Sequence, residues 1–400
     1  MTETLEARVR AHLAALRRRN LWRTLSPPTG VDLSSNDYLG LATHPAITAA
    51  MMDAVRRGGC GSTGSRLLRG EREAFSQVEQ RFAAFKGAAR SLYFSSGYLA
   101  NLAVLTTFPA PGDLILFDER SHASLIDGAR LSRADRASFP HNDTAALGRL
   151  LRERPPDHPT FVVTESLFSM DGDLAPIGEY AALCRETGAT LVVDEAHAVG
   201  VYGRRGSGLL EEWGVSHDGW LSVNTAGKAL GVSGAFVAGP DWAIEFLVQR
   251  ARPFVFSTAA PPAVASALDA SLTVIEAEPQ RRAALIHLAG LMRRRLVESG
   301  IPVPPGTSPI VPIMLGENDR AVAVAAGLQA DGFDARAIRP PTVAPGTARL
   351  RVSVNVGLDE ATIDRFVAAL VRELAGHPAR QPAVSAEARA GQEEAASDAG

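Results

Sequence analysis

The chain has 400 residues, with 41 Lys+Arg against 44 Asp+Glu and a formal net charge of −3. That length suits a large domain with a smaller companion rather than one small core. The near balance of charge, with no long basic or acidic block before the tail, argues against nucleic acid or a membrane surface as partner.

Two cysteines, Cys60 and Cys184, show no CxxC or Cys/His spacing. This excludes a zinc ligand set and a disulfide framework and points to cytosolic small-molecule chemistry. The first twenty residues break their apolar positions with Glu6, Arg8, Arg10 and His12. They form no signal-peptide core, and no run approaches the length of a membrane span, so a soluble cytoplasmic protein is expected.

Leu5, Val9, Leu13 and Leu16 recur at helical spacing, which predicts an amphipathic helix laying one face on the body or on a partner subunit. Arg17, Arg18 and Arg19 form its solvated end. From Ser91 the apolar runs SLYFSS, DLILFD, TFVVTES, TLVVDE, WLSVNT and GAFVAG alternate with helical patterns such as YLANLAVLTTF and HASLIDGARLS. Strand and helix in turn predict an α/β fold with a mostly parallel sheet covered on both faces. Ligands bind such sheets at the carboxyl ends of the strands, where Ser95, Asp118, Glu165, Asp194 and Thr225 fall. Two long helical patterns follow Pro261, and SPIVPIML, FDARAI, ARLRVSVN and the flanking helices read as a compact α+β unit. The expected division is an N-terminal helix and arm over 1–40, a large domain over 41–270, a small one over 271–376 and a disordered tail over 377–400.

Lys228 sits among small residues in LSVNTAGKALGVSG. Close approach of the backbone to a planar ligand, and loss of solvent from the ammonium, would make its amine a usable nucleophile. Asp194 ends the strand before that loop, so the topology brings a carboxylate and an amine to one sheet edge. Pyridoxal phosphate (PLP) needs this pair: a lysine to hold it and an acid beside its ring nitrogen. His197 lies three residues on, Ser95, Ser96 and Gly97 open a helix suited to a phosphate, Thr225 adds a hydroxyl, and His122 opens another strand-to-helix turn. The residues alone are also compatible with a surface lysine, a packing His197, a plain N-cap and a surface His122. Three motif-like strings are set aside. Gly59-x-Gly61-x-x-Gly64 follows a helical pattern rather than a strand, Asp194-Glu195-Ala196-His197 has no phosphate-binding loop to accompany it, and no GxSxG occurs.

Taken together, SSNDYLGL, GSTGSRLLRG, FSSGYLANL, SHASLIDGARLS, TESLFSMDGDLAPI, VDEAHAVGVYGRRGSG, TAGKALGVSGA and RPPTVAPGTARLR resemble the α-oxoamine synthase family of fold-type I PLP-dependent transferases. The resemblance runs from about Leu33 to about Leu374. It implies PLP on Lys228, Asp194 at the pyridine nitrogen, His197 and Ser169 at the phenolic oxygen, His122 stacked on the ring, and Gly97, Tyr98 and Thr225 near the phosphate. Asn36 and Arg351 would hold the amino-acid carboxylate, Thr342 would line the substrate site, and Arg23 would meet the acyl substrate. Members condense an amino acid with an acyl thioester, here alanine with an acyl-CoA or acyl carrier protein, or glycine in a relative. They are homodimers with active sites at the interface, to which Ser257 and Thr258 would contribute. From a different class, a cofactor-free protein keeping only the fold would be colourless.

Overall fold

A computed structural model describes residues 4–154, 157–215 and 219–378. Residues 379–400, most of the tail expected to be disordered, lie outside the described residues. After a short β1 (Val31–Asp32) come seven strands of one sheet: β2 (Arg90–Phe94), β3 (Leu114–Asp118), β4 (Asp135–Phe139), β5 (Thr160–Glu165), β6 (Thr190–Asp194), β7 (Trp220–Thr225) and β8 (Ala235–Gly239). The remaining strands are β9 (Ile310–Gly316), β10 (Phe333–Asp334), β11 (Ala337–Ile338) and β12 (Ala348–Ser353).

The large sheet has the order β2-β8-β7-β6-β5-β3-β4. Only β8 runs against its neighbours, so β3 and β5 to β7 end at the same edge. The strands were legible as apolar runs because helices bury both faces; every residue of β5 is buried. β4 is the exception. Its sequence DRASF is mostly polar and mostly unburied, as suits an edge strand paired on one side only, and no apolar run announces it.

Leu92, Val104, Leu125 and Ile244 pack one side of the sheet, and Leu116, Leu147, Ile177 and Leu191 the other. A third cluster carries Phe82 stacked on Phe236 at 4.1 Å, an arrangement that contributes about 0.5–1.5 kcal/mol beyond area burial. That cluster continues into the C-terminal unit, where β9, β12 and β11 form an antiparallel sheet backed by the helices Pro279–Glu298, Asn318–Ala330 and Glu360–Gly376.

The N-terminal arm is woven into this unit. β1 pairs in parallel with β10, Ser353 N–H donates to the Leu33 carbonyl at 2.8 Å, and Asn355 Nδ2 donates to the Asp32 carbonyl at 2.9 Å. Residues 33–38 are thereby laid beside the end of β12. The helix Leu5–Arg18 forms as its spacing predicts, but none of its residues is buried. Leu5, Val9 and Leu13 stand 67%, 45% and 38% exposed, so its apolar stripe does not lie on the body of this chain.

Candidate active site

Asp194 closes β6 and is buried. Its Oδ1 accepts the Ala196 N–H at 2.8 Å and its Oδ2 accepts Asn101 Nδ2 at 2.7 Å. Among the described residues no cation pairs with it within 4.0 Å. A buried carboxylate with only neutral donors is costly, a cost that a cationic N–H such as that of a pyridinium would offset. The same Asn101 Nδ2 donates to Ser124 Oγ at 2.9 Å, and that hydroxyl lies 2.8 Å from His122 Nδ1. Ser124 N–H also donates to His122 Nδ1, at 3.2 Å. Nδ1 is thus the acceptor, and a neutral ring carries its proton on Nε2.

Lys228 sits in the turn between β7 and β8. That turn is closed by Ala226 N–H to the Gly234 carbonyl at 2.8 Å and Gly231 N–H to the Lys228 carbonyl at 2.8 Å. Gly231 has φ +68, and a Cβ there would come within 2.5 Å of Ala42 N, so only glycine fits. Lys228 Nζ donates to His197 Nε2 at 2.8 Å, and His197 Nδ1 lies 2.7 Å from Tyr38 Oη. Burial, with the nearby charges of Lys228 and Arg351, holds the His197 imidazolium well below its ordinary pKa. The ring is neutral and passes its Nδ1–H to Tyr38. Tyr38 in turn donates to Asn36 Oδ1 at 3.2 Å and accepts from Arg351 Nη2 at 3.3 Å. Burial, offset in part by Asp194 and Glu165, lowers the Lys228 ammonium to about 8. Glu165, buried at the end of β5, is pushed up to about 8 by burial and by the charge of Asp194.

Arg351 lies on β12 and is buried. Its Nη2 donates to Asn36 Oδ1 at 2.9 Å and its Nη1 to Ser353 Oγ at 2.8 Å, while Nε engages the Ser169 carbonyl. Ser169 N–H reaches Glu165 Oε2 at 3.3 Å. The helix Gly97–Thr107 is capped by Ser96, whose Oγ accepts the Leu99 N–H at 3.2 Å. A Cβ at Gly97 would collide with Thr225 Oγ1. Glycine therefore lets the first turn of that helix close onto β7, and the orphan amides of the turn suit a phosphate.

Other expected residues stand apart. Tyr98 is 42% exposed with its hydroxyl engaged by Asp127. Ser257 and Thr258 line a small cleft with Phe94 and Ser95 of this same chain. Arg23 Nη2 donates to Thr342 Oγ1 at 3.2 Å, so these two meet each other on an exposed face, without a hydrogen bond among the described residues to the Lys228 cluster. A cleft of about 890 Å³ beside Leu102, Arg133, Arg252 and Phe256 contains none of these groups. Sequence reasoning missed Tyr38, Asn101 and Ser124. Asn101 is four residues after Gly97 and Ser124 two after His122, so motif spacing carried a signal for both; the contact of Tyr38 with His197, 159 positions away, carried none.

The buried carboxylate without a cation, the lysine on a neutral imidazole and the glycine-lined helix start together fit PLP. Residues 28–370 match the aminotransferase class I and II family. The 8-amino-7-oxononanoate synthase of Anaeromyxobacter sp. (strain K) is 47% identical, the match covering 88% of each chain. The serine palmitoyltransferase of S. paucimobilis with bound PLP and myriocin superposes with a TM-score of 0.87 at 28% identity, covering 93% of this chain and 99% of that one. The 8-amino-7-oxononanoate synthase of Francisella tularensis gives 0.75 at 28% identity, covering 87% and 98%. On these grounds the chain belongs to the 8-amino-7-oxononanoate synthases within the aminotransferase class I and II family of fold-type I enzymes, whose cofactor is pyridoxal 5'-phosphate.

Proposed function

We propose that the chain condenses L-alanine with a pimeloyl thioester, pimeloyl-CoA or pimeloyl-acyl carrier protein. It releases CO2 and the free carrier and yields 8-amino-7-oxononanoate for biotin biosynthesis. The observation that carries this reading is the chain of hydrogen bonds from Lys228 through His197 and Tyr38 to Arg351, with Asp194 held by Asn101 at the end of the neighbouring strand. Bound PLP supplies an electron sink for charge at the amino-acid Cα.

The chain's own groups divide the remaining work. Lys228 would hold the cofactor, and the lowered pKa of its amine suits it to take up and return the Cα proton. Asp194, braced by Asn101, would keep the ring nitrogen protonated. His197 and Ser169 would face the phenolic oxygen, His122 would stack on the ring, and Gly97, Tyr98 and Thr225 would lie near the phosphate, Tyr98 through its backbone because its hydroxyl is engaged by Asp127. Arg351 and Asn36 grip the alanine carboxylate, a charge-assisted arrangement that orients the Cα–H bond. Thr342 and Arg23 receive the acyl chain, the arginine meeting its distal carboxylate. The division into a large unit over 41–270 and a small one over 271–376 puts Lys228 and Arg351 on different units. A homodimer with shared active sites is supported by the exposed stripe of Leu5, Val9 and Leu13 and by exposed Leu68 and Phe256, and the same reading places the enzyme in the cytoplasm. Among the described residues no helix is long and apolar enough to cross a membrane.

The test is turnover of purified protein with pimeloyl-CoA and alanine, read by mass spectrometry. A product with the mass of 8-amino-7-oxononanoate is expected, whereas turnover only with glycine and acetyl-CoA would mark a glycine C-acetyltransferase instead. Borohydride reduction and peptide mapping should place the cofactor on Lys228. Lys228→Ala should carry no adduct and lose turnover by about 1,000-fold or more.

A further inference from the structure

His141 lies outside the Lys228 cluster, in the turn after β4. Its Nδ1 is 2.9 Å from Asp118 Oδ1 and its Nε2 is 2.6 Å from Asp173 Oδ2. A neutral imidazole has one N–H and one lone pair, so it would set that lone pair against a carboxylate on one side. Only the imidazolium satisfies both contacts.

Asp118 ends β3 and shapes the turn that delivers His122. It accepts the Arg120 N–H at 2.9 Å and the Asn142 N–H at 2.9 Å, and its carbonyl accepts the Ser121 N–H at 2.9 Å. Asp173 belongs to the tight turn over 166–175 that carries Ser169. Phe168 N–H bonds the Asp173 carbonyl at 3.0 Å, and Asn142 Nδ2 adds a bond to Asp173 Oδ2 at 2.9 Å. The His141 ring stands edge-on to Phe168 at 4.4 Å. The same turn offers the Ser169 carbonyl to Arg351 and the Met170 carbonyl and Asp171 to Arg349. One cation therefore joins the loop bearing His122 to the turn on which Arg351 is seated.

We infer that His141 is a positioning residue, kept as an imidazolium between Asp118 and Asp173, that clamps these two loops together and so fixes Arg351 for the amino-acid carboxylate. This rests on the reading of Arg351 given above. Glu119, which accepts the His141 N–H at 3.3 Å, adds negative charge beside the ring, while the cation Arg120 is drawn to Asp171 at 3.4 Å. Burial works against the charge, but Asp118 and Asp173 outweigh it and raise the His141 pKa from 6.5 to about 9. Because the folded value is the higher one, the stabilisation is complete below 6.5 and is lost as pH rises through about 9.

The decisive measurement is NMR of the holoenzyme labelled with ¹⁵N-histidine. Both ring nitrogens of His141 should carry protons at pH 7.5, with a titration midpoint above 8; a neutral ring at pH 7.5 overturns the inference. In His141→Gln, amide exchange over 166–175 should quicken while β5 and β6 stay protected. The KM for alanine should rise about tenfold with the KM for the acyl thioester within twofold. Faster exchange with an unchanged alanine KM means a merely structural histidine and overturns the positioning role. Arg351→Ala as a control separates the two readings. If it too leaves the alanine KM unchanged, the carboxylate assignment has failed, whereas protonation and exchange still decide whether the clamp exists. Should His141→Gln not fold, the wild-type titration and the decline of its alanine affinity above pH 9 carry the same decision.

Discussion

Tyr38 is fully buried, and its hydroxyl is the crossing point of the chain from Lys228 to Arg351: it accepts from His197 and Arg351 and donates to Asn36. Phenylalanine fills the same volume but leaves the His197 Nδ1–H without an acceptor. An unsatisfied buried donor costs about 1–3 kcal/mol. The ring can avoid that cost by moving its proton to Nε2, which then meets the Lys228 ammonium donor-to-donor. Tyr38→Phe should therefore lower stability in urea by that amount. It should also reduce kcat about tenfold while borohydride still fixes the cofactor on Lys228. An unchanged kcat would show that the Tyr38 hydroxyl does not set the orientation of His197 toward Lys228.

At the scale of elements, the strand ending in Asp194 shows how site and scaffold share one segment. Glu195, the next residue, turns away from the pocket into a fully buried ion pair with Lys86 at the end of the helix Glu73–Lys86. Lys86 Nζ also donates to the Ser207 carbonyl at 2.6 Å, and Glu195 Oε1 accepts the Leu210 N–H at 3.0 Å. Removing one partner strands the other's charge, so Lys86→Met should destabilise by about 3–5 kcal/mol, and pairing it with Glu195→Leu should recover most of that loss. Urea titrations of the two variants check this; equal losses in both would mean that packing, not charge, is at stake. Glu195 also shows what the sequence could not reveal, since alternate residues of one motif face opposite duties and only the partner, Lys86, tells them apart. The order Asp194, His197, Lys228 was readable because β6, β7 and the β7–β8 turn are consecutive. β4 was not, because an edge strand needs no apolar run. Nor was His141, whose two carboxylate anchors come from separate segments, the end of β3 and the turn over 166–175.

At the scale of the whole molecule, the pocket is a seam. Lys228 and Asp194 belong to the large sheet, Arg351 to β12 of the small one, and Asn36 and Tyr38 to the arm bound along the end of β12. With Arg351 as the proposed grip on the amino acid, catalysis would depend on how firmly β12 is held against the large sheet. Arg349, two residues before Arg351 on the same face of that strand, is the fastening: it is buried, and its Nη1 donates to Asp171 Oδ1 at 2.6 Å and to the Met170 carbonyl at 3.2 Å. Arg349→Met keeps the apolar stem and deletes both bonds, along with the local one from Nε to the Thr347 carbonyl at 3.1 Å. Asp171 is partly open to water and retains Arg120 at 3.4 Å, so the loss should be about 1–3 kcal/mol rather than the larger figure for a stranded buried charge. If the seam is what orients the amino acid, the KM for alanine should rise several-fold more than the KM for the acyl thioester, with the yield of reduced Lys228 adduct unchanged. A fall in that adduct yield would show instead that the cofactor site, and not the meeting of the two sheets, is what Arg349 supports.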